Sequence, residues 1–339
     1  MFIFRHERTN TMARNNLFDE KIWESVNIEN KELLEDYILE LKSKGRAHKT
    51  IYQYSADIRA FFCWIAKNQD NKSILDLKKR SFRQFFLFMK ENGTSAARIN
   101  RFQSSIRNLL AFAEEDEDEY DYANNAMRAI KGIQGEKVRD IVFLTDEQID
   151  IILNHLLEKE KYQMALYLSL SYDSAARRNE ILQVKKTNFL NSKQTNEVIG
   201  KRGKKFTLLY FNRTREIAKM YFEQRGEDDI ESLWVAGDGE QRRARSYESL
   251  YAFVLVFRQI LEEETGELIE INPHCFRHSA LENYGDGTHH VLKEMGKKSI
   301  SLELLKIIAH HESIDTTQSY LKNKDEEKLM EEFGLDEEL

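Results

Sequence analysis

Proline is all but missing from this chain: among 339 residues there is one, Pro273. A chain so poor in the residue that breaks helices has no proline-rich linker, and its long periodic segments are free to stay helical. Cysteine is nearly as scarce, with Cys63 and Cys275 far apart on segments of helical character. That excludes a disulfide framework and favours free buried thiols. No run approaches the ~20 apolar residues of a membrane span, and Met1-Phe2-Ile3-Phe4-Arg5 is too short for a signal peptide. The expectation is a cytoplasmic protein with no membrane partner. Met12 is a second candidate start, and no internal repeat is visible. The length exceeds the ~100–200 residues of one domain, and 41% hydrophobic residues supply core for two.

Net positive charge is also lacking. The formal balance is −7, which opposes binding to polyanions unless charge is segregated along the chain. It is. Acid gathers in Glu114-Glu115-Asp116-Glu117-Asp118-Glu119 and in the segment from Asp325 to Leu339. Base gathers at Lys42, Lys44, Arg46 and Lys49, and again at Arg98, Arg101 and Arg107. Most charge runs are solvated faces, but here basic groups recur on successive helices of one region, which favours a DNA face.

Six of the nine histidines fall between 274 and 311. The segment His274-Cys275-Phe276-Arg277-His278, then His311, then Tyr320, assembles groups suited to a phosphodiester. A guanidinium pairs with non-bridging oxygens, imidazole exchanges protons near neutral pH, and a phenol is a poor nucleophile until neighbours activate it. Upstream, Arg177 and Glu180 share a spacing that puts them on one helical face. Between these segments, residues 198–209 form two short apolar runs around a Gly/Lys turn, a β-hairpin with Lys201 at its tip. Plainer readings exist for each part. Tyr320 reads equally as a half-buried packing residue, Arg177-Arg178 with Glu180 as a solvated face, and the doublets His289-His290 and His310-His311 as surface loops. His274 and His278, four apart, have zinc-ligand spacing but lack the glutamate of the protease motif.

The ordered set Arg177, Lys201, His274-x-x-Arg277-His278, His311 and Tyr320 resembles the tyrosine recombinase, or phage integrase, family of site-specific DNA recombinases; Ile314-Asp315-Thr316-Thr317-Gln318-Ser319-Tyr320 resembles the block leading into its nucleophile. The resemblance implies a mainly α chain with a small β-hairpin: a helical core-binding domain and a mixed α/β catalytic domain forming a C-shaped clamp on the duplex. It further implies that Tyr320 attacks the scissile phosphate to give a 3′-phosphotyrosyl link, with neither ATP nor metal as cofactor. Arg177, Arg277 and His311 would then stabilise the transition state, Lys201 would protonate the leaving 5′ oxygen, and His274 would assist proton movement, with Glu180 and His278 as braces. The implied setting is a prophage or other mobile element in a bacterial or phage-infected cytoplasm. Implied partners are double-stranded DNA, copies of the same chain in a tetramer on paired sites, and an accessory directionality protein.

Three departures from the pattern stand out. His310 replaces a common glycine. Arg277 and His311 are 34 positions apart, longer than usual, with residues 284–290 as a suspected loop insertion. Leu209 stands where the hairpin often has proline. A second hypothesis is therefore carried alongside the enzyme, a recombinase-derived DNA-binding protein acting as a phage transcriptional repressor. A zinc hydrolase using His274 and His278 is a third.

Helical periodicity places Leu33, Leu34, Tyr37, Ile38 and Leu41 on one helix and Ile51, Tyr54, Ile58, Phe61, Phe62 and Ile65 on the next. Phe82, Phe85, Phe86 and Met89 make a third, and Ile99, Phe102, Ile106, Leu109 and Leu110 a fourth, which resembles the family's DNA-facing helix. The expected division is an extension to residue 27, with no separate arm-binding domain, then a core-binding domain over 28–132 and a linker over 133–141. A catalytic domain follows over 142–323, with a tail over 324–339 whose Leu329, Met330, Phe333 and Leu335 suit exchange with a neighbour. Thr145 and Gln148 form a capping box at the catalytic domain's first helix.

Overall fold

In the computed structural model, the described residues are 17–116, 119–134, 141–318 and 320–321. The predicted tail lies outside them, as do most of the linker and the first sixteen residues of the extension. The chain divides into two compact units, Met1–Arg139 and Asp140–Leu339. Among the described residues, no helix is long and apolar enough to cross a membrane.

The first unit is helical: α1 (Glu20–Ser25), α2 (Ile28–Ser43), α3 (His48–Asn68), α4 (Lys79–Glu91) and α5 (Ala96–Glu115). The periodic apolar residues are its core. Phe61, Phe82, Phe85 and Phe102 are each fully buried, with Phe61 and Phe85 ring centroids 4.6 Å apart in a tilted pair. Within the predicted extension, α1 is an addition: Ile22 and Trp23, with Leu17 and Phe18, pack on this core.

The second unit is mainly helical with two small antiparallel sheets. It contains α6 (Asp146–Glu158), α7 (Tyr162–Ser174), α8 (Arg178–Leu182), α9 (Asn212–Arg225), α10 (Tyr251–Thr265), α11 (Pro273–Asp286), α12 (His290–Glu294), α13 (Leu302–Ile308) and α14 (Ile314–Gln318). Strands β1 (Val198–Ile199) and β2 (Lys205–Phe206) pair as Val198 with Phe206 and Ile199 with Lys205, and β3 (Val235–Ala236) pairs with β4 (Arg243–Ala244). Helix α7 is the hub. Every residue from Ala165 to Ser174 is buried, the polar Ser169, Ser171, Asp173 and Ser174 included, with α6, α9 and α11 packed around it.

The capping box forms as read: Thr145 Oγ1 accepts from Gln148 N at 3.2 Å and Gln148 Oε1 from Thr145 N at 3.0 Å. The single proline is used at the first position of α11, where its missing N–H costs nothing, behind the Asn272 cap. That helix carries His274, Arg277 and His278 on one face, at i, i+3 and i+4.

The suspected loop insertion is packed into the unit at both ends, with Asp286 and Thr288 exposed at its turn. Helix α11 runs through Tyr284 to Asp286, and Gly287 turns the chain at φ +79, with the Lys298 carbonyl oxygen 1.4 Å from where a Cβ would stand. His289 and His290 are buried, so that doublet is not a surface loop. His289 is sandwiched between Tyr172 and Tyr284, with centroids at 4.2 and 3.8 Å, and His290 Nε2 lies 2.8 Å from Asp173 Oδ1.

Candidate active site

Arg277 is the centre of the site and has no solvent exposure. Among the described residues, no carboxylate forms an ion pair with it. Its Nη1 donates to the Ala175 carbonyl at 2.6 Å and its Nη2 to the Ala309 carbonyl at 2.5 Å. These carbonyls cap the C-termini of α7 and α13, so the negative ends of two helix dipoles hold the buried cation. Ala175 adopts φ +50 to present its oxygen. Burial, then nearby Arg177, lowers the Arg277 guanidinium to about 10, which leaves it charged at neutral pH.

Arg277 Nη2 also donates to His311 Nε2 at 2.7 Å. Because arginine only donates, that nitrogen is an acceptor, and the ring proton sits on Nδ1, which faces Thr317 Oγ1 at 3.0 Å. Burial, then Arg277 and Arg177, push His311 down to about 3, consistent with a neutral ring. Without an anion, then, His311 accepts at the nitrogen expected to donate.

Tyr320 follows α14, its N–H donating to the Thr317 carbonyl at 3.0 Å. Its Oη is 3.0 Å from His274 Nε2, its ring stacks on His278 at 4.3 Å, and its carbonyl lies 3.2 Å from His278 Nδ1. His311 is 4.8 Å from it between centroids, and the Arg277 guanidinium carbon is 5.2 Å from the ring centre. His274 is exposed at its edge, yet loss of water around the ring and the proximity of His278, Arg277 and Arg177 move it down to about 4. A neutral His274 Nε2 can accept the phenolic proton. Burial likewise lowers His278.

Arg177 caps α8 rather than lying within it. Its backbone N–H and Nη1 both donate to Glu180, at 2.8 and 3.0 Å, and Glu180 is buried. That replaces the solvated-face reading with a buried brace. Lys201 is exposed in the β1–β2 turn. Arg177, Lys201, Arg202, Lys204, Phe206, His310, His311, Glu312 and Thr316 line one cavity of about 180 Å³. Its cations suit a phosphate-sized anion.

The predicted DNA-facing residues divide. Lys42, Lys44, Arg46 and Lys49 are exposed around the α2–α3 turn. On α5, Arg98 is half-buried, its guanidinium 5.9 Å from the Phe102 ring centre. Arg101 forks onto buried Asp57 at 2.9 and 2.8 Å, and Arg107 donates to the Ile130 carbonyl at 2.9 Å. Both have internal duties that charge patterning did not foresee.

For metal, His274 and His278 are turned to the hydroxyl and carbonyl of Tyr320. Among the described residues, Asp173, His289 and His290 place ligand atoms within 4.8 Å of one another. Asp173 is already engaged there: Oδ1 faces His290, and Oδ2 accepts from Phe211 N at 3.0 Å and Thr214 Oγ1 at 2.6 Å. Asp173, Thr317 and the carbonyls of Ala175 and Ala309 are site supports that sequence reading missed. Only the histidine doublet hinted at the first.

The family model for the phage integrase N-terminal SAM-like domain matches residues 34–117, and that of the phage integrase family matches residues 142–327. The chain belongs to the phage integrase family. Among relatives, it is 26% identical over 326 residues to the SPbeta prophage-derived recombinase-like protein YomM of Bacillus subtilis (strain 168), covering 91% of this chain and 92% of that protein. It is 24% identical over 294 residues to the tyrosine recombinase XerA of Thermococcus onnurineus (strain NA1), covering 86% and 90%. In fold it is similar to a lambda integrase dimer bound to a COC′ core site, with TM-score 0.64, 17% identity, and coverage of 86% of this chain and 76% of that one. The Tn1549 transposon integrase in complex with circular intermediate DNA gives TM-score 0.63 at 14% identity, covering 86% and 95%.

Proposed function

We propose that this family member is a site-specific DNA recombinase of a prophage or other mobile element, cutting and rejoining duplex DNA through Tyr320. The observation that carries this reading is the 3.0 Å approach of His274 Nε2 to Tyr320 Oη, beside Arg277 and His311 and next to a cation-lined cavity. Tyr320 Oη attacks phosphorus while His274 takes its proton, and the bond from phosphorus to the 5′ oxygen breaks as Lys201 supplies a proton to that oxygen. The reverse sequence rejoins the strand. Arg177 and Arg277 act as charge grows on the non-bridging oxygens. An anion beside Arg277 and His311 favours a proton on His311 Nε2, turning it from acceptor to donor. No ATP is needed, because the phosphotyrosyl link keeps the bond energy, and Arg177 and Arg277 meet the charge that a metal would otherwise balance.

The partner is double-stranded DNA, contacted by the exposed Lys42, Lys44, Arg46 and Lys49, and by Arg98. The strand-exchanging form is a tetramer on two sites, with an accessory protein setting direction, in the cytoplasm of a bacterial host. The proposed domains are 28–132 for core binding, extended by α1, and 142–323 for catalysis.

One observation favours the repressor reading: Arg277 has no solvent exposure and its guanidinium already donates to the Ala175 and Ala309 carbonyls and to His311, so a phosphate reaches it only after local rearrangement. A nicked suicide substrate carrying the cognate site, selected from genomic fragments, decides. Covalent trapping on Tyr320 supports the recombinase, and binding without trapping supports the repressor.

A further inference from the structure

His310 is bound up with the hairpin that carries Lys201. It sits at φ +52, in the left-handed region, which histidine enters more readily than most side chains. Its ring lies on that of Phe206 in β2, with centroids 3.7 Å apart and planes 20° from parallel. The hairpin makes room for that contact. At Gly200, the residue before Lys201, a Cβ would stand 2.6 Å from the Phe206 ring, so only glycine lets the ring occupy its place. A second tie joins the same two segments: Arg202 Nη1 meets Glu312 Oε2 at 2.5 Å, though both are exposed and the pair adds little alone. Phe206 and His310 both line the cavity shared by Arg177, Lys201 and His311. Burial, with Lys204, Arg277 and Arg177 nearby, lowers His310 to about 4, so a neutral ring makes the stack at working pH.

We propose that His310 is a positioning residue for Lys201. Its stack on Phe206 fastens the β1–β2 hairpin to the segment carrying His311, presetting the lysine over the site before DNA arrives. The role in cleavage rests on the recombinase reading; the tether itself does not. A hairpin held by its backbone alone would place Lys201 loosely, and misplacing a proton donor by about 1 Å costs on the order of a hundredfold in rate.

The test uses the full chain and three variants. His310→Gly suits the positive φ and removes the ring. Phe206→Leu removes its partner. His310→Phe keeps a flat ring and is the rescue. The first readout is trypsin nicking at Lys201, Arg202, Lys204 and Lys205. His310→Gly and Phe206→Leu are expected to be nicked about tenfold faster at unchanged global stability, because local opening governs cleavage; His310→Phe should be nicked as the wild type is. Unchanged nicking in both ring-deleting variants overturns the tether.

The second readout is single-turnover cleavage at saturating DNA, on a normal suicide substrate and on one whose 5′ bridging oxygen is sulfur, a leaving group that needs no proton. His310→Gly should cut the normal substrate at least about tenfold more slowly with unchanged DNA affinity, and recover on the sulfur substrate as Lys201→Ala does. A deficit equal on both substrates overturns the link to Lys201. A wild-type chain that forms no adduct on either substrate overturns the recombinase reading and the role in cleavage, and the tether then stands or falls on the nicking result.

Discussion

Tyr320 Oη and His274 Nε2 face each other at 3.0 Å across 46 positions of sequence, with the imidazole held neutral. Removing the hydroxyl alone should therefore abolish chemistry and spare recognition. Tyr320→Phe is expected to bind the cognate site as the wild type does and to form no covalent adduct. His274→Ala should still form adduct, on the order of a hundredfold more slowly. Gel analysis of trapped complexes reads both, and equal adduct from Tyr320→Phe would remove it as the nucleophile.

Arg177→Ala keeps the backbone bond to buried Glu180 and loses only the guanidinium's, so it tests transition-state stabilisation with less damage to the fold than Arg277→Ala. Arg177→Ala is expected to raise the cleavage barrier by about 3 kcal/mol while binding falls far less. Arg277→Ala should lose both activity and stability, because the carbonyls of Ala175 and Ala309 lose their buried donor. Covalent-complex rates, binding constants and melting curves separate the terms; a binding loss that accounts for all lost cleavage in Arg177→Ala ends its catalytic assignment.

Arg101 is tied to buried Asp57, which also accepts from Ser105 Oγ at 3.1 Å. Arg101→Ala leaves that carboxylate buried without its cation and should cost about 1–3 kcal/mol of stability, discounted for the exposed side of the arginine. Pairing it with Asp57→Ala should cost less than the two single changes added together. Additive losses in a denaturation cycle would show that the pair is uncoupled. Arg98→Ala, by contrast, should weaken DNA binding with little change in melting.

Among the described residues, five histidines are held below their ordinary value of 6.5, His274 and His310 down to about 4, His289 and His311 to about 3, and His278 lowered, loss of water around the ring leading in each. As pH falls below 6.5, the unfolded chain binds protons that the folded chain refuses. Stability is therefore full above 6.5 and is lost progressively down to pH 3–4. Melting temperature is expected to drop by several degrees or more from pH 7 to pH 5, and less steeply in His289→Phe. A level profile would contradict the lowered proton affinity of these rings.

DNA affinity should fall steeply with salt despite the charge of −7, because clustered Lys and Arg release counterions locally. Titrations from 50 to 200 mM salt, reported as the slope of log affinity, check this. Neutralising Lys42 and Lys49 should each reduce the slope by about one. A flat line would set aside the exposed α2–α3 turn as a DNA face.

The order Arg177, Lys201, His274, Arg277, His311, Tyr320 was visible in sequence as a resemblance to the family pattern, because residue type and order are written there directly; their roles remain the proposal made above. The four amphipathic helices of the first unit were readable for a similar reason: a 3.6-residue period is local, and the cores formed where the period put them. The capping box of Thr145 and Gln148 spans three residues and was equally visible.

Only tertiary structure decided what each charged group touches. Arg101 and Arg107 carry the same charge as their exposed basic neighbours, and nothing local reveals that Asp57 or the Ile130 carbonyl waits across the unit. The histidine doublet at 289–290 became interior because Asp173, more than a hundred positions earlier, needed a buried partner and two tyrosines flanked the space. His311 became an acceptor because Arg277 can only donate. Sequence determined which groups this protein has for its chemistry; long-range packing decided their partners, tautomers and exposure, since hydrogen bonds and desolvation depend on distances that the fold alone sets.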